Sequence, residues 1–111
     1  MEYSQFSFEY TLTAKLCIEH IVNFLRRADV EPRPVIEGII EQFEKTAGQF
    51  PLGCQICPEL VKIGCAKYRE FNSASGYRVL YSIEGTTITA HAVLAHRQDI
   101  QQLLFKRIIQ A

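Results

Sequence analysis

Arg78 and His91 read as neighbours on consecutive strands, and His96 stands beside Arg97 where the second of those strands runs out. A guanidinium can stabilise charge developing on a phosphate, and an imidazole can carry the proton that such a reaction must move. Without a reacting group, the same residues make a basic binding patch, and an imidazole at a strand end serves equally well by bonding a backbone carbonyl. The candidate catalytic residues are therefore Arg78, Arg97, His96 and His91. A second constellation is Cys54-Gln-Ile-Cys57, with the two-residue gap of zinc knuckles and thiol redox motifs. Zinc would need two further ligands, and Cys65 is the one other cysteine nearby; a redox pair would open a helix, whereas this pair lies between Pro51 and Pro58 in a segment that reads as loop. Reduced cysteines, no metal site and no cofactor are expected.

The elements that would position these residues are read from period. Phe6, Phe8, Tyr10 and Leu12 alternate with polar residues, as in a half-buried strand. Thr13 then offers a cap, and Ala14, Ile18, Ile21, Leu25 and Ala28 recur at helical spacing. The stretch 29–34, with two prolines, turns the chain. A second helix is expected from Val35, with Ile36, Ile39, Ile40, Phe43 and Ala47 inward, ended by Gly48 and Pro51. After an irregular stretch come strands over 67–72, 77–84 and 87–95, the last two joined by a tight turn at Gly85, and then a C-terminal helix capped by Asp99. The expected architecture is one α+β domain over residues 1–111: an N-terminal strand, a helical hairpin, a three-stranded antiparallel meander and a C-terminal helix.

A regular two-residue hairpin puts Tyr77, Val79, Tyr81 and Ile83 on the core face with Ile88, Ala90, Ala92 and Leu94. Arg78, Leu80, Ser82, Thr87, Thr89, His91, Val93 and Arg97 then share the opposite face, which the helices do not obviously cover. His96 points toward the core side.

Charge sets limits on partners. Twelve basic and twelve acidic residues cancel, but residues 1–49 hold five Lys/Arg against eight Asp/Glu and residues 50–111 hold seven against four. A neutral total opposes strong nonspecific nucleic-acid binding, while the basic second half leaves room for a local cationic face. Lys67, Arg69, Arg78, Arg97, Lys106 and Arg107 are its candidate members. The hydrophobic share of 48 % suits a folded globule. No apolar run of membrane-spanning length occurs and the N-terminus lacks the pattern of a secretory signal, so a cytoplasmic protein is expected.

At Tyr68-Arg69-Glu70-Phe71, at Ser75-Gly76-Tyr77-Arg78-Val79-Leu80-Tyr81-Ser82-Ile83 and at the His96-Arg97 strand end, the chain resembles the RelE/ParE superfamily of bacterial type II toxin–antitoxin toxins. Nearly the whole chain follows that family's order of elements. The resemblance implies a growth-arresting toxin held inactive by a cognate antitoxin, which lays an extended or helical segment over the toxin's apolar and basic surfaces. It also implies one of two mechanisms. The RelE branch cuts messenger RNA on the ribosome, and the ParE branch inhibits DNA gyrase.

Arg78 falls at the position of the RelE branch's phosphate-contacting arginine, and Arg69 retains a further basic position. Elsewhere the nuclease pattern is replaced: its second-strand lysine falls on Phe71, a later arginine on Gln98 and its terminal-helix tyrosine on Leu104. The neutral charge and the Arg69-Glu70-Phe71 pattern are closer to the ParE branch. The leading expectation is a ParE-like, noncatalytic inhibitor of a macromolecular target such as DNA gyrase. The alternatives are a ribosome-dependent mRNA endoribonuclease and a non-toxic binding module on the same fold.

Overall fold

A computed structural model describes residues 6–95. Strand β1 (Ser7–Tyr10) leads into helices α1 (Leu12–Arg27) and α2 (Pro32–Gln49), then the one-turn helix α3 (Pro58–Val61), and strands β2 (Arg69–Asn72), β3 (Tyr77–Glu84) and β4 (Thr87–Ala95). The expected C-terminal helix, with Asp99, Lys106 and Arg107, lies outside the described residues, as do His96 and Arg97.

The sheet order is β1-β4-β3-β2. The meander is antiparallel as expected, and β1 adds a parallel edge beside β4, pairing Phe8 with Ile88 and Tyr10 with Ala90. Thr11 rather than Thr13 ends β1 and caps α1. Its backbone N–H still donates to Ala90 O at 3.1 Å, while its Oγ1 accepts from Ala14 N at 3.1 Å. One residue thus closes the strand pairing and satisfies an otherwise orphaned helix donor. Thr11→Ala is expected to destabilise the protein by about 1 kcal/mol, read as a lowered midpoint in urea unfolding with an unchanged slope.

Helix α1 buries Ala14, Cys17, Ile21 and Leu25, and α2 buries Ile39, Phe43, Ala47 and Gly48. The second helix starts at Pro32, earlier than the expected Val35. Proline is well suited to the first turn because the N–H it lacks would find no partner inside the helix there. The reversal between the helices is made at Asp29, whose φ of 60° lies in the left-handed region that Asp tolerates better than most residues.

The β3–β4 turn is Gly85-Thr86, with Glu84 paired to Thr87 and Gly85 at a φ of 60°. Positive φ at the first central residue matches a type II′ hairpin turn, which glycine permits. From the turn, Ser82 faces Thr89 and Tyr81 faces Ala90, as a regular hairpin requires. The register then shifts between Leu80 and Tyr81, so that Leu80 pairs with Ala92, Val79 with Val93 and Arg78 with Leu94. One additional residue on β4, His91, occupies the bulge. This corrects the expected faces beyond it. Val93 turns to the helices beside Val79, where both line a small apolar void with Ile18, Ile39 and Phe43, and Ala92 and Leu94 join Arg78 and Leu80 on the other side.

That other side is not an open face either. Leu80, Ala92 and Leu94 are fully buried, and the segment 50–68 folds back against β2 and β3. Cys57 N–H donates to Tyr68 O, Glu70 N–H to Gln55 O, and the Tyr81 hydroxyl to Pro51 O at 2.7 Å.

Candidate functional site

Register places Arg78 diagonally across from Glu70, because Glu70 pairs with Leu80 and Asn72 with Arg78. The guanidinium is buried. Its Nη1 lies 3.0 Å from Glu70 Oε1 and 3.2 Å from Glu59 Oε2, so two carboxylates from α3 and β2 meet one cation from β3. Glu70 is 5 % exposed and its second oxygen accepts from the Gln55 side-chain amide. Glu59 is the more exposed of the pair. Burial pushes its carboxyl pKa up, but a bond from its own backbone N–H together with the Arg78 charge outweighs this and holds it below the ordinary value. Among the described residues Arg78 Nε is buried without a partner. The expectation that this arginine projects from an uncovered face is therefore corrected: among the described residues it sits buried between the carboxylates of Glu59 and Glu70.

His91 is half-buried on the same side of the sheet, where the bulge directs it. Its Nε2 lies 2.7 Å from Ser82 Oγ, and its ring meets Tyr68 edge to face at 4.9 Å. The Lys67 ammonium lies 5.7 Å from the centre of the Tyr68 ring. Burial, then the Lys67 charge, lower the imidazole pKa below its ordinary value, opposed by Glu84. His91 is thus uncharged near neutrality. Arg69, the other candidate cation on β2, donates to Cys54 O at 2.6 Å and to Leu52 O at 3.4 Å, which ties down the loop before α3. Lys67 alone among the described candidate cations is exposed with its ammonium directed at an aromatic face.

The cysteines do not assemble as a zinc knuckle. Cys57 caps α3, is fully buried and donates to Glu59 Oε1 at 3.6 Å, and burial pushes its thiol pKa up rather than down, which opposes redox reactivity. Among the described residues, the metal-ligand types that gather closely are Cys57, Glu59 and Glu70, within 4.8 Å of one another, and Cys54 and Cys65 are not among them. Among the described residues, the charge bonded to these two carboxylates is the Arg78 guanidinium.

Glu59, Glu70 and Ser82 are the site residues that sequence reasoning missed. Two-residue periodicity on β2 and β3 carries a signal for Glu70, since a diagonal Glu–Arg pair on one sheet face follows from the register. Glu59 carries none, because it reaches Arg78 from a one-turn helix inside a stretch without period.

The sequence profile of the family described as "ParE toxin of type II toxin-antitoxin system, parDE" matches residues 8–100. No curated protein sequence matches the chain. Among solved structures, a chain of the "Chromosomal ParDE TA system from P. aeruginosa" superposes with a TM-score of 0.63 at 15 % identity, covering 81 % of this chain and 95 % of that one. At that identity the superposition speaks for the fold, and the shared fold has the helical hairpin and the sheet described above. With the profile spanning most of the sequence, the chain belongs to the ParE toxin family of type II toxin–antitoxin systems.

Proposed function

We propose that this toxin arrests growth by binding and inhibiting a macromolecular target such as DNA gyrase, with no bond-breaking chemistry of its own, and that a cognate antitoxin neutralises it. The observation that carries this reading is the state of Arg78. A nuclease needs that guanidinium free to meet a phosphate, and here it is buried between Glu59 and Glu70. A phosphate approaching this guanidinium would have to displace the Glu59 and Glu70 carboxylates already bonded to it. His91 adds support, because its Nε2 is engaged with Ser82 rather than presented to a substrate. Lys67, Arg69, Arg97, Lys106 and Arg107 remain the proposed basic contacts to target or antitoxin, with Arg69 acting through the loop it anchors. No helix among the described residues is long and apolar enough to cross a membrane, and a cytoplasmic site of action accords with that.

The test sets two assays side by side: supercoiling by purified gyrase, and translation by ribosomes with mapping of messenger ends, each with and without the toxin. Inhibited supercoiling with intact messenger is the expected result. Codon-linked messenger cuts would overturn the inhibitor reading in favour of an endoribonuclease, and unimpaired growth on induction without the antitoxin would indicate a binding module that has lost toxicity.

A further inference from the structure

We propose that the Ser82–His91 pair is an acid-sensitive fastener: the uncharged imidazole holds the bulge of β4 onto β3, where the His91 backbone also meets the cap of α1, and protonation of His91 loosens this junction. The proposal concerns the fold and stands whichever target the toxin meets.

The bulge leaves His91 as the one β4 residue without a partner across on β3, so its side chain has to fasten a part of the strand that the ladder does not. It does so through Ser82, 2.7 Å away on β3 and itself buried. The backbone of the same residue is tied to the helices: Thr11 Oγ1 donates to His91 O at 3.3 Å while accepting from Ala14 N at the start of α1. Ala92, Val93 and Leu94, all buried, follow directly, so the bulge sets which of them face the helices.

We assign the neutral ring's proton to Nδ1, so that Nε2, 2.7 Å from Ser82 Oγ, is the acceptor of the hydroxyl proton. A protonated ring has a donor at both nitrogens. The Ser82 hydroxyl then loses its acceptor inside the sheet, and a second cation is brought into a site where the Lys67 ammonium already lies near the Tyr68 ring. Among the described residues, the charged or titratable groups facing His91 are Lys67 and Tyr68 from the approach to β2 and Glu84 from the end of β3. Of these, Glu84 favours the charged form, and burial together with Lys67 outweighs it.

The sign follows from linkage. A base that binds its proton less tightly when folded leaves the unfolded chain holding more protons, so stability is full above the ordinary imidazole range and falls as pH drops through it. One such group lowers the folded-to-unfolded ratio by at most about tenfold per pH unit.

The experiment is an NMR titration of the His91 imidazole in the full chain, together with urea unfolding between pH 5 and 8. His91 is expected to titrate below about 6.5, the ordinary histidine value, and the unfolding midpoint to fall across that window. Ser82→Ala, which removes the proton donor to the neutral ring, is expected to move the His91 titration upward. His91→Gln is expected to flatten the acid limb of the stability curve. Titration of His91 at or above the ordinary value, or an acid limb as steep in His91→Gln as in the wild type, would overturn the proposal. Should His91→Gln fail to fold, the Ser82→Ala titration decides: no upward shift sinks the idea.

Discussion

Arg78→Ala is expected to destabilise the folded toxin by about 3–5 kcal/mol, because it leaves the Glu70 carboxylate buried and unpaired. The wild-type cation is bonded at 3.0 Å to a carboxylate that is 5 % exposed and at 3.2 Å to a second one nearer the surface. Removing it exposes the asymmetry of buried ion pairs: breaking one partner costs far more than the intact pair contributes over an apolar replacement. The double variant Arg78→Met with Glu70→Leu should therefore recover most of the loss. Chemical denaturation of the single and double variants checks this directly. The consequence for function is as large. Loss of growth arrest in Arg78→Ala alone would report an unfolded toxin, whereas the double variant separates the roles. A double variant that folds as the wild type does and still arrests growth means that Arg78 works inside the fold. One that folds but no longer arrests growth means that the guanidinium itself meets the target, and the inhibitor reading would then need Arg78 released from Glu59.

The contrast between what period reveals and what register decides runs through this molecule. Helical spacing in 14–28 and 36–47 and strand alternation in 77–84 located the hairpin and the meander, because one buried face per element leaves a mark in residue type. The same alternation predicted the sheet faces correctly from the turn as far as Tyr81 and Ala90. Beyond that point it failed, since a bulge at His91 inserts one residue without glycine or any other local sign, and every later side chain changes sides. The candidate site suffered most. Arg78 read as an exposed cation because the carboxylate that half-covers it comes from α3, a single turn held in place by tertiary contacts rather than by a pattern of its own. Alternation puts His91 on the side it occupies, but marks its partner Ser82 only as a polar strand residue. Charge balance told more than motif matching here: the neutral total has a local counterpart in a cation enclosed by acids.

Phe43→Ala is the second large effect, at about 3–5 kcal/mol, the range for deleting a buried aromatic ring. Phe43 is 1 % exposed and its ring meets four others, Phe8 at 5.7 Å, Tyr10 at 6.4 Å, Phe71 at 6.0 Å and Tyr81 at 5.5 Å. Those partners come from β1, β2 and β3, so one helix residue bridges three strands. The neighbours cannot easily collapse into the space left behind. Tyr81 is held by its hydroxyl bond to Pro51 O, and Tyr10 by a 2.6 Å bond to Glu44 Oε2; partial burial and the Glu44 carboxylate push the Tyr10 phenol pKa far up. Rings fixed at both ends leave a cavity instead of filling it, which places the variant toward the upper part of the range. Since small domains are stable by only about 5–15 kcal/mol, the variant should lose a large share of its stability. Phe43→Leu, which keeps an apolar branch in the space, should lose distinctly less. Urea unfolding at neutral pH reads both. A loss under about 1 kcal/mol for Phe43→Ala would mean that the strands move in to close the gap, and that the ring cluster does not fix their position over α2.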